Sequence, residues 1–137
     1  TIRGGTSTVT KAVTGVADVT ITLDHAGNSF GSLSITGNAG ATVNSAGPVV
    51  LSGQTLRGNL IVTAGGAVTD TGTWDVTGVT TISASGHNVT LGGESDDFKG
   101  AVSITGANVS IEDTNSILLG AFDVSGTLSF VSPSVAW

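Results

Sequence analysis

The sequence predicts an all-β fold, a right-handed single-stranded parallel β-helix (a solenoid) that winds through about five or six coils of roughly 20–27 residues. Three observations support this prediction: the composition, the alternation of apolar and hydroxyl side chains, and an internal repeat. Thr and Val are abundant and β-branched, which favours extended backbone. Charged residues make up 10% of the chain, against about 25% in ordinary soluble domains. We therefore expect a surface built mainly from hydroxyls and amides.

The internal repeat has a long period and a short one. Segment 28–37 (NSFGSLSITG) reappears as 97–106 (DFKGAVSITG), and Phe30 matches Phe98, which sets the offset of the long repeat. Inside this unit a glycine opens an alternating strand at intervals of about 20–27 residues. The long repeat therefore predicts three coils of about 23 residues. The strand-opening glycines are Gly31, Gly58, Gly78, Gly100 and Gly126.

The strands after these glycines hold only about four residues, which is too short for stable hairpins. We expect each strand to pair with the equivalent strand one coil away, as in a solenoid. Alternation then places every second residue inside, while Gly, Asn and Asp occupy positive-φ turn positions. The expected core residues, stacked at one phase of the coil, are Leu33, Ile35, Leu60, Val62, Ile82, Val102, Ile104 and Leu128.

The whole chain, 1–137, is predicted to be one β-helix segment. It begins at Thr1 without a signal-peptide pattern, which predicts an internal piece of a longer protein. Pro133 ends strand ladders, so we expect the last residues to fold over the open coil, or the molecules to stack end to end. The predicted divisions are an atypical first coil at about 1–17, a first three-coil unit at 18–87, a partial second unit at 88–131 and a terminal tail at 132–137.

Several other classes are excluded. An antiparallel sandwich also has short strands but does not predict that strands repeat together with their turns, and a propeller needs blades of roughly 40–50 residues. The net charge of −6 disfavours nucleic acid and anionic membranes as partners. No apolar run approaches the ~20 residues of a membrane helix, so we predict no membrane insertion.

Several strings carry a family resemblance: GNLIVTAGG at 58–66, VSITG at 102–106, NVSIEDTN at 108–115 and VSGTL at 124–128. They resemble the β-strand repeats of filamentous-haemagglutinin-like adhesins, large exoproteins of the two-partner-secretion or autotransporter-passenger type. The resemblance implies export from a Gram-negative bacterium, a secreted or cell-surface location and a filament used for attachment. Its implied partner is a receptor or glycan on a host or neighbouring cell. The family's secretion module and anchor lie outside this sequence.

The acids are the first candidates for chemistry. The cluster 94–97 (ESDD) does not match the Gly-Gly-x-Gly-x-Asp calcium repeat, so we expect a solvated turn that caps its own backbone. Glycosidases need two carboxyls about 5–10 Å apart. Coils lie about 4.8 Å apart, so such a pair must be one coil apart at the same phase. Asp75 and Asp97 are separated by one coil and meet this condition, but Asp97 aligns with Asn28. We also expect Asp70, Asp75 and the pair Glu112 and Asp113 to be spread over different coils.

The histidines and aromatic residues give no site either. His25 and His87 do not align in the repeat, which argues against a shared metal or haem site. Phe30 and Phe98 do align, and we expect them to fill a wide corner of the core rather than grip a sugar from the surface. Trp74 begins a strand, and the sequence leaves open whether it is buried or exposed. We predict no catalytic residue, no cofactor and no metal.

The abundant threonines suggest ice binding as a further hypothesis, because ice-binding solenoids present regular Thr-x-Thr ranks on a flat face. The pattern is clean only at 20–22, whereas the threonines at 8–10, 69–71 and 80–81 are expected to share no coil phase. The leading hypothesis is therefore a structural and adhesive stalk segment of a secreted surface adhesin, without catalysis. The alternative is a polysaccharide-cleaving β-helix enzyme, and the lesser alternative is an ice-binding solenoid.

Overall fold

The computed structural model describes residues 6–10 as a strand, and residues 20–37, 39–93 and 95–137 with their side chains. These residues form strands and turns without a helix, and their parallel sheets make a β-solenoid of about six turns. The predicted fold class is therefore confirmed. No helix long and apolar enough to span a membrane occurs among the residues described.

The strands, numbered along the chain, build two parallel sheets that face each other. Sheet 1 consists of β1 (Thr6–Thr10), β3 (Ser32–Gly37), β5 (Val49–Leu56), β7 (Val68–Val76), β9 (Val89–Leu91), β12 (Val109–Glu112) and β14 (Leu128–Val131), with β10 (Asp97–Phe98) paired to β7. Sheet 2 consists of β2 (Ile21–Leu23), β4 (Ala41–Ser45), β6 (Leu60–Ala64), β8 (Thr80–Ser83), β11 (Val102–Gly106), β13 (Ser116–Val124) and β15 (Ser134–Ala136).

The core lies between the sheets, because inward and outward side chains alternate along each strand. Leu128 is 38% exposed, so its prediction as a core residue is wrong. It pairs with Val109 at the same inward phase, but β14 is the last strand of sheet 1 and no described coil covers it. The predicted core residues that are buried are Leu33, Ile35, Leu60, Val62, Ile82, Val102 and Ile104.

The prediction that these residues share one phase of the coil is wrong. Leu33 and Ile35 lie in β3, and Leu128 lies in β14, both strands of sheet 1. The other predicted residues lie in β6, β8 and β11 of sheet 2. Each coil adds a strand to each sheet, and both strands show the same alternation. A strand's own sequence therefore does not tell which sheet it joins.

The long repeat explains why equivalent strands of its two copies lie in different sheets. A shift by its offset, from Phe30 to Phe98, moves β4 onto β12, β5 onto β13 and β6 onto β14, each time from one sheet to the other. The unit from β2 to the start of β9 contains seven strands, which is three and a half coils rather than three. Each coil is therefore shorter than the predicted length. The boundaries of the units at 18–87 and 88–131 stay predictions.

The repeat also copies a hydrogen-bonded turn. Phe30 and Phe98 are both buried, which confirms them as core residues. The N–H of Phe30 donates to Oγ of Ser45 at 3.5 Å, and the N–H of Phe98 donates to Oδ2 of Asp113 at 2.9 Å. Ser45 and Asp113 are themselves separated by the offset of the long repeat. Each turn is thus tied to the following coil by the same kind of contact.

The chain end differs from the prediction. Residues 134–136 form β15, which pairs in parallel with residues 116–118 of β13 and extends sheet 2. The tail therefore does not fold over the open coil, although Pro133 directly precedes the strand. The side chains of Ser116 and Ser134 join across this pair, with Oγ atoms 2.6 Å apart. The predicted first coil at 1–17 lies outside the described residues, apart from the strand β1.

Candidate functional site

The polar groups of the interior gather where sheet 1 bends into the next turn. The register of β5 against β7 shifts between Ser52 and Gln54, beside Gly53, which has a φ of 66°. Gln54 is fully buried, and its Nε2 donates to the carbonyl of Leu33 at 2.8 Å. Trp74, the register partner of Gln54, is also fully buried. This corner therefore holds polar side chains that link one coil to the next.

Asp70 and Asp96 meet at this corner. Asp70 pairs in register with Leu51 and so points toward the core side. Its Oδ1 accepts a hydrogen bond from the N–H of Gly92 at 2.8 Å, whereas its Oδ2 is buried without a donor. Asp96 has no exposed surface, and its carboxyl accepts from the N–H of Trp74 at 3.1 Å and from that of Gly93 at 3.3 Å.

The surroundings of Asp96 favour its neutral form. Burial raises the pKa of Asp96 to about 8, and the hydrogen bond and negative charge of Asp70 act in the same direction. The N–H groups of Gly93 and Trp74 oppose this rise without cancelling it. A protonated Asp96 also supplies the donor that Oδ2 of Asp70 otherwise lacks.

The prediction of a solvated turn at 94–97 is wrong for Asp96. The turn does cap its own backbone, through Gly93, but the capping side chain is buried. Ser95 is exposed, Asp97 is partly buried, and Glu94 lies outside the described residues. The alignment of Asn28 with Asp97 is therefore wrong: the offset from Phe30 to Phe98 pairs Asn28 with Asp96, and both of these polar residues are buried. The pairing with Asp96 was the sequence signal for a buried position.

A second acidic pair faces outward on the same coils. Asp75 and Asp97 are direct register partners, so the spacing of one coil predicted their proximity correctly. Lys99 Nζ lies 2.6 Å from Oδ1 of Asp75 and 3.4 Å from Oδ2 of Asp97. The hydrogen bond to Asp75 is the main cause of a raised pKa of Lys99. Since all three side chains are substantially solvated, the cluster contributes little to stability.

The remaining candidates do not converge. Asp113 is buried and structural, since its two oxygens accept from the N–H groups of Phe98 and Asn115, both at 2.9 Å. His25 and His87 are exposed on different turns. Within the described ranges, no three His, Cys, Asp or Glu residues are grouped as metal ligands. Trp74, left open by the sequence, is a core residue.

The outer face of sheet 2 carries hydroxyl side chains in regular order. Thr81 shares its phase with Thr22 and Thr42, so the expectation that the threonines at 80–81 have no fixed coil phase is wrong for Thr81. The threonines at 8–10 and 69–71 lie in sheet 1 and share no phase with it. The first outward rank is Thr22, Thr42, Ile61, Thr81 and Ser103. The second is Asn44, Thr63, Ser83, Thr105 and Asp123. Asp123, at the end of the second rank, is the charged residue among them.

Sheet 1 carries a polar concavity of about 160 Å³ on its outer side. Asn108 Nδ2 donates to Oδ1 of Asn88 at 3.0 Å, and the N–H of Thr127 donates to Oδ1 of Asn108 at 2.9 Å. Beside this ladder the hydroxyls of Thr90 and Ser110 line the same concavity. Neither this nor a second, more apolar concavity of about 280 Å³ includes the outward acidic pair.

Fold and surface together define a repeat protein of the parallel β-helix class, built from stacked short strands with polar outer faces. Residues 36–105 match the family described as repeats of unknown function (DUF5649), and the chain belongs to that family. The matched stretch is about as long as one unit of the long internal repeat. Neither the curated proteins nor the solved structures contain a match to this chain.

Proposed function

We propose that this chain is a structural and adhesive stalk segment of a secreted bacterial surface adhesin, and that it has no catalytic role. The observation that carries the proposal is the outer surface of sheet 2, where both outward ranks consist mainly of hydroxyl and amide side chains and Asp123 alone is charged. A solenoid of about six turns, each adding about 4.8 Å, extends the chain by roughly 30 Å. The resemblance to filamentous-haemagglutinin-like repeats supports the same role.

The proposed location is outside the cell, on the bacterial surface, with a receptor or glycan on another cell as the partner of the parent protein. An epitope tag inserted after Gly86 tests this location. Ser85, Gly86 and His87 are exposed, and a Cβ at Gly86 would meet no atom within 4 Å, so the turn accommodates an insertion. Antibody should label intact cells that produce the parent protein. Labelling only after lysis would contradict the proposal.

A replacement experiment separates a stalk from a binding module. Exchanging residues 21–131 in the parent protein for an unrelated solenoid with the same number of coils should preserve attachment, because a stalk supplies length alone. Deleting the same residues should shorten the filament and reduce attachment. Loss of attachment after the matched exchange would show instead that this surface binds the receptor itself.

The polysaccharide-cleaving enzyme remains the second candidate because one observation favours it. Asp75 and Asp97 stand on adjacent coils at the same phase, with Lys99 bound between them. The test is incubation with neutral and uronic-acid polysaccharides, followed by reducing-end and unsaturated-product assays. Cleavage that disappears in Asp97→Asn, but persists in Asp123→Asn on the exposed part of β13, would establish the enzyme. The stalk proposal expects no cleavage.

Ice binding is the lesser candidate, and the ordered ranks of sheet 2 favour it more than the sequence did. Ile61, 42% exposed, and Asn44 interrupt the hydroxyl pattern. A cooled-droplet assay of ice growth decides the matter. Ice shaping by the wild type that is lost in Thr63→Lys and kept in Thr69→Lys, on the other sheet, would identify an ice-binding face.

A further inference from the structure

The inner corner of the solenoid holds the carboxyl groups of Asp70 and Asp96, which have fewer hydrogen-bond donors than oxygen atoms. Three backbone N–H groups, those of Gly92, Gly93 and Trp74, reach three of the four carboxyl oxygens of Asp70 and Asp96. The fourth, Oδ2 of Asp70, is buried without a donor. We propose that Asp70 and Asp96 share one proton across two neighbouring coils, and that loss of this proton loosens the turn that carries Gly93 and Asp96 from the coil beneath it.

The carboxyl groups of Asp70 and Asp96 both lie close to the backbone of Gly93. A Cβ atom at Gly93 would lie 2.8 and 2.9 Å from the two carboxyl oxygens of Asp96 and 3.0 Å from Oδ2 of Asp70. The position therefore has no room for a side chain, and its N–H comes close enough to donate to Asp96. Two like charges held together in this way are unfavourable, because each opposes ionisation of the other.

No cation offsets the pair in the part of the chain that the structure describes. Lys99 binds Asp75 and Asp97 on the outer side instead. From the next coil Asp113 contributes another carboxyl, which is held by backbone N–H groups. Among the described residues, the corner therefore holds no cation that would favour ionisation of both carboxyls.

Asp96 is also the residue that joins three successive coils. Its side chain accepts from the N–H of Trp74 in the coil below. Its carbonyl accepts from the N–H of Thr114 in the coil above at 2.9 Å and from Oγ1 of the same residue at 2.8 Å. Repulsion between two ionised carboxylates would act directly on this junction. The equivalent residue in the first copy, Asn28, carries no charge at any pH, so only the second copy can respond.

The direction of the pH effect follows from proton binding. The pKa of Asp96 is about 8 in the folded chain, above its ordinary value of 3.8, so the folded state holds a proton that the unfolded state has released. The free energy of unfolding should therefore fall as pH rises from about 4 to about 8, and level off above that. The stabilisation from protonated Asp96 is fully present only below the pKa that Asp96 has in the unfolded chain, 3.8.

The test compares wild type with Asp70→Asn in urea unfolding between pH 5 and pH 9. The new amide nitrogen replaces the donorless Oδ2 and donates to an ionised Asp96, so the decline of stability with pH should become smaller, although burial of Asp96 persists, and the variant should exceed wild type in stability at pH 9. Asp75→Asn is the matched control on the same strand. It removes a carboxyl that faces outward, so the wild-type slope should persist.

A second measurement avoids dependence on the variant. The carboxyl carbon-13 resonance of Asp96 should titrate near pH 8 in wild-type protein. Fluorescence of the buried Trp74 in a Trp137→Phe background should follow the same transition, since Trp137 is the exposed tryptophan. An Asp96 carboxyl that titrates below about pH 5, or an unchanged slope in folded Asp70→Asn, would overturn the proposal.

Discussion

At the scale of single residues, the strand-opening glycines serve a purpose that the sequence did not suggest. Positive φ occurs in the described part of the chain at Gly53, Gly72 and Gly86, and not at the strand-opening positions. Gly78 and Gly100 instead allow neighbouring turns to touch. A Cβ at Gly100 would lie 2.2 Å from the carbonyl oxygen of Gly78. These residues recur because the backbones of successive coils meet there.

Replacing Gly78 with alanine should therefore destabilise the fold by overpacking. A Cβ at this position would lie 2.4 Å from the carbonyl carbon of Gly58, a backbone atom that cannot rotate away. We expect a loss of about 1–3 kcal/mol in the free energy of unfolding, measured in urea. Gly47→Ala is the control, since a Cβ there meets nothing within 4 Å. Equal effects of the two substitutions would contradict the close-approach explanation.

The core makes a second prediction at this scale. Ile104 is buried between Ile82 and Phe122 in the register of sheet 2. Ile104→Ala should lower the free energy of unfolding by roughly 2–5 kcal/mol, because it leaves a cavity between coils. Leu128→Ala should cost distinctly less, since Leu128 is already 38% exposed. A larger loss at Leu128 would mean that its side chain is covered in solution.

At the scale of strands and turns, the sequence predicted the type of element and missed its place. Short alternating segments and glycine turns identified the solenoid, because both are local properties of the chain. The assignment of strands to sheets is not local, since an inward Leu in β3 and one in β6 both lie in short alternating segments of the same kind. For the site, the one-coil spacing predicted the pairing of Asp75 with Asp97. The burial of Asp96 was missed because an acid beside Gly92 and Gly93 also fits a solvated turn.

The repeated turn provides a matched pair of substitutions. Asp113→Ala removes the acceptor for the buried N–H of Phe98, so we expect a loss of about 1–3 kcal/mol on urea unfolding. Ser45→Ala removes the equivalent acceptor from Phe30, where the contact is longer, at 3.5 Å, and uncharged. The smaller effect should therefore occur in the first copy. The reverse order would mean that the charge of Asp113 costs more than its hydrogen bonds contribute.

At the scale of the whole molecule, we predict no stabilisation by divalent metals. A ligand that binds the native state raises the melting temperature by mass action. Millimolar Ca²⁺ or Zn²⁺ should leave the thermal unfolding curve of the wild type unchanged. A rise of several degrees that is lost in Asp97→Asn would instead identify a metal site at the outward acidic pair.

The isolated chain of 137 residues should associate end to end. Its last coil presents apolar side chains and the unpaired edges of β14 and β15, and an open edge is a template for another strand. Light scattering should show a mass that increases with concentration. A charged substitution, Leu128→Lys, should reduce it, whereas Thr69→Lys on a middle coil should not. A strictly monomeric particle at all concentrations would refute this. The exposed apolar residues of the last coil are Leu118, Leu128, Val131, Val135 and Trp137.

The odd number of strands in the long repeat unit has a consequence for any longer array of such units. One unit contains three and a half coils, so equivalent strands in successive copies lie in opposite sheets. Each unit is therefore rotated by half a revolution about the solenoid axis relative to the unit before it. A loop present at the same position of every unit would therefore project from opposite sides of the fibre in successive units. An array with this rotation presents the same side chains on two opposite sides of the fibre, although both sides are built from one repeated sequence.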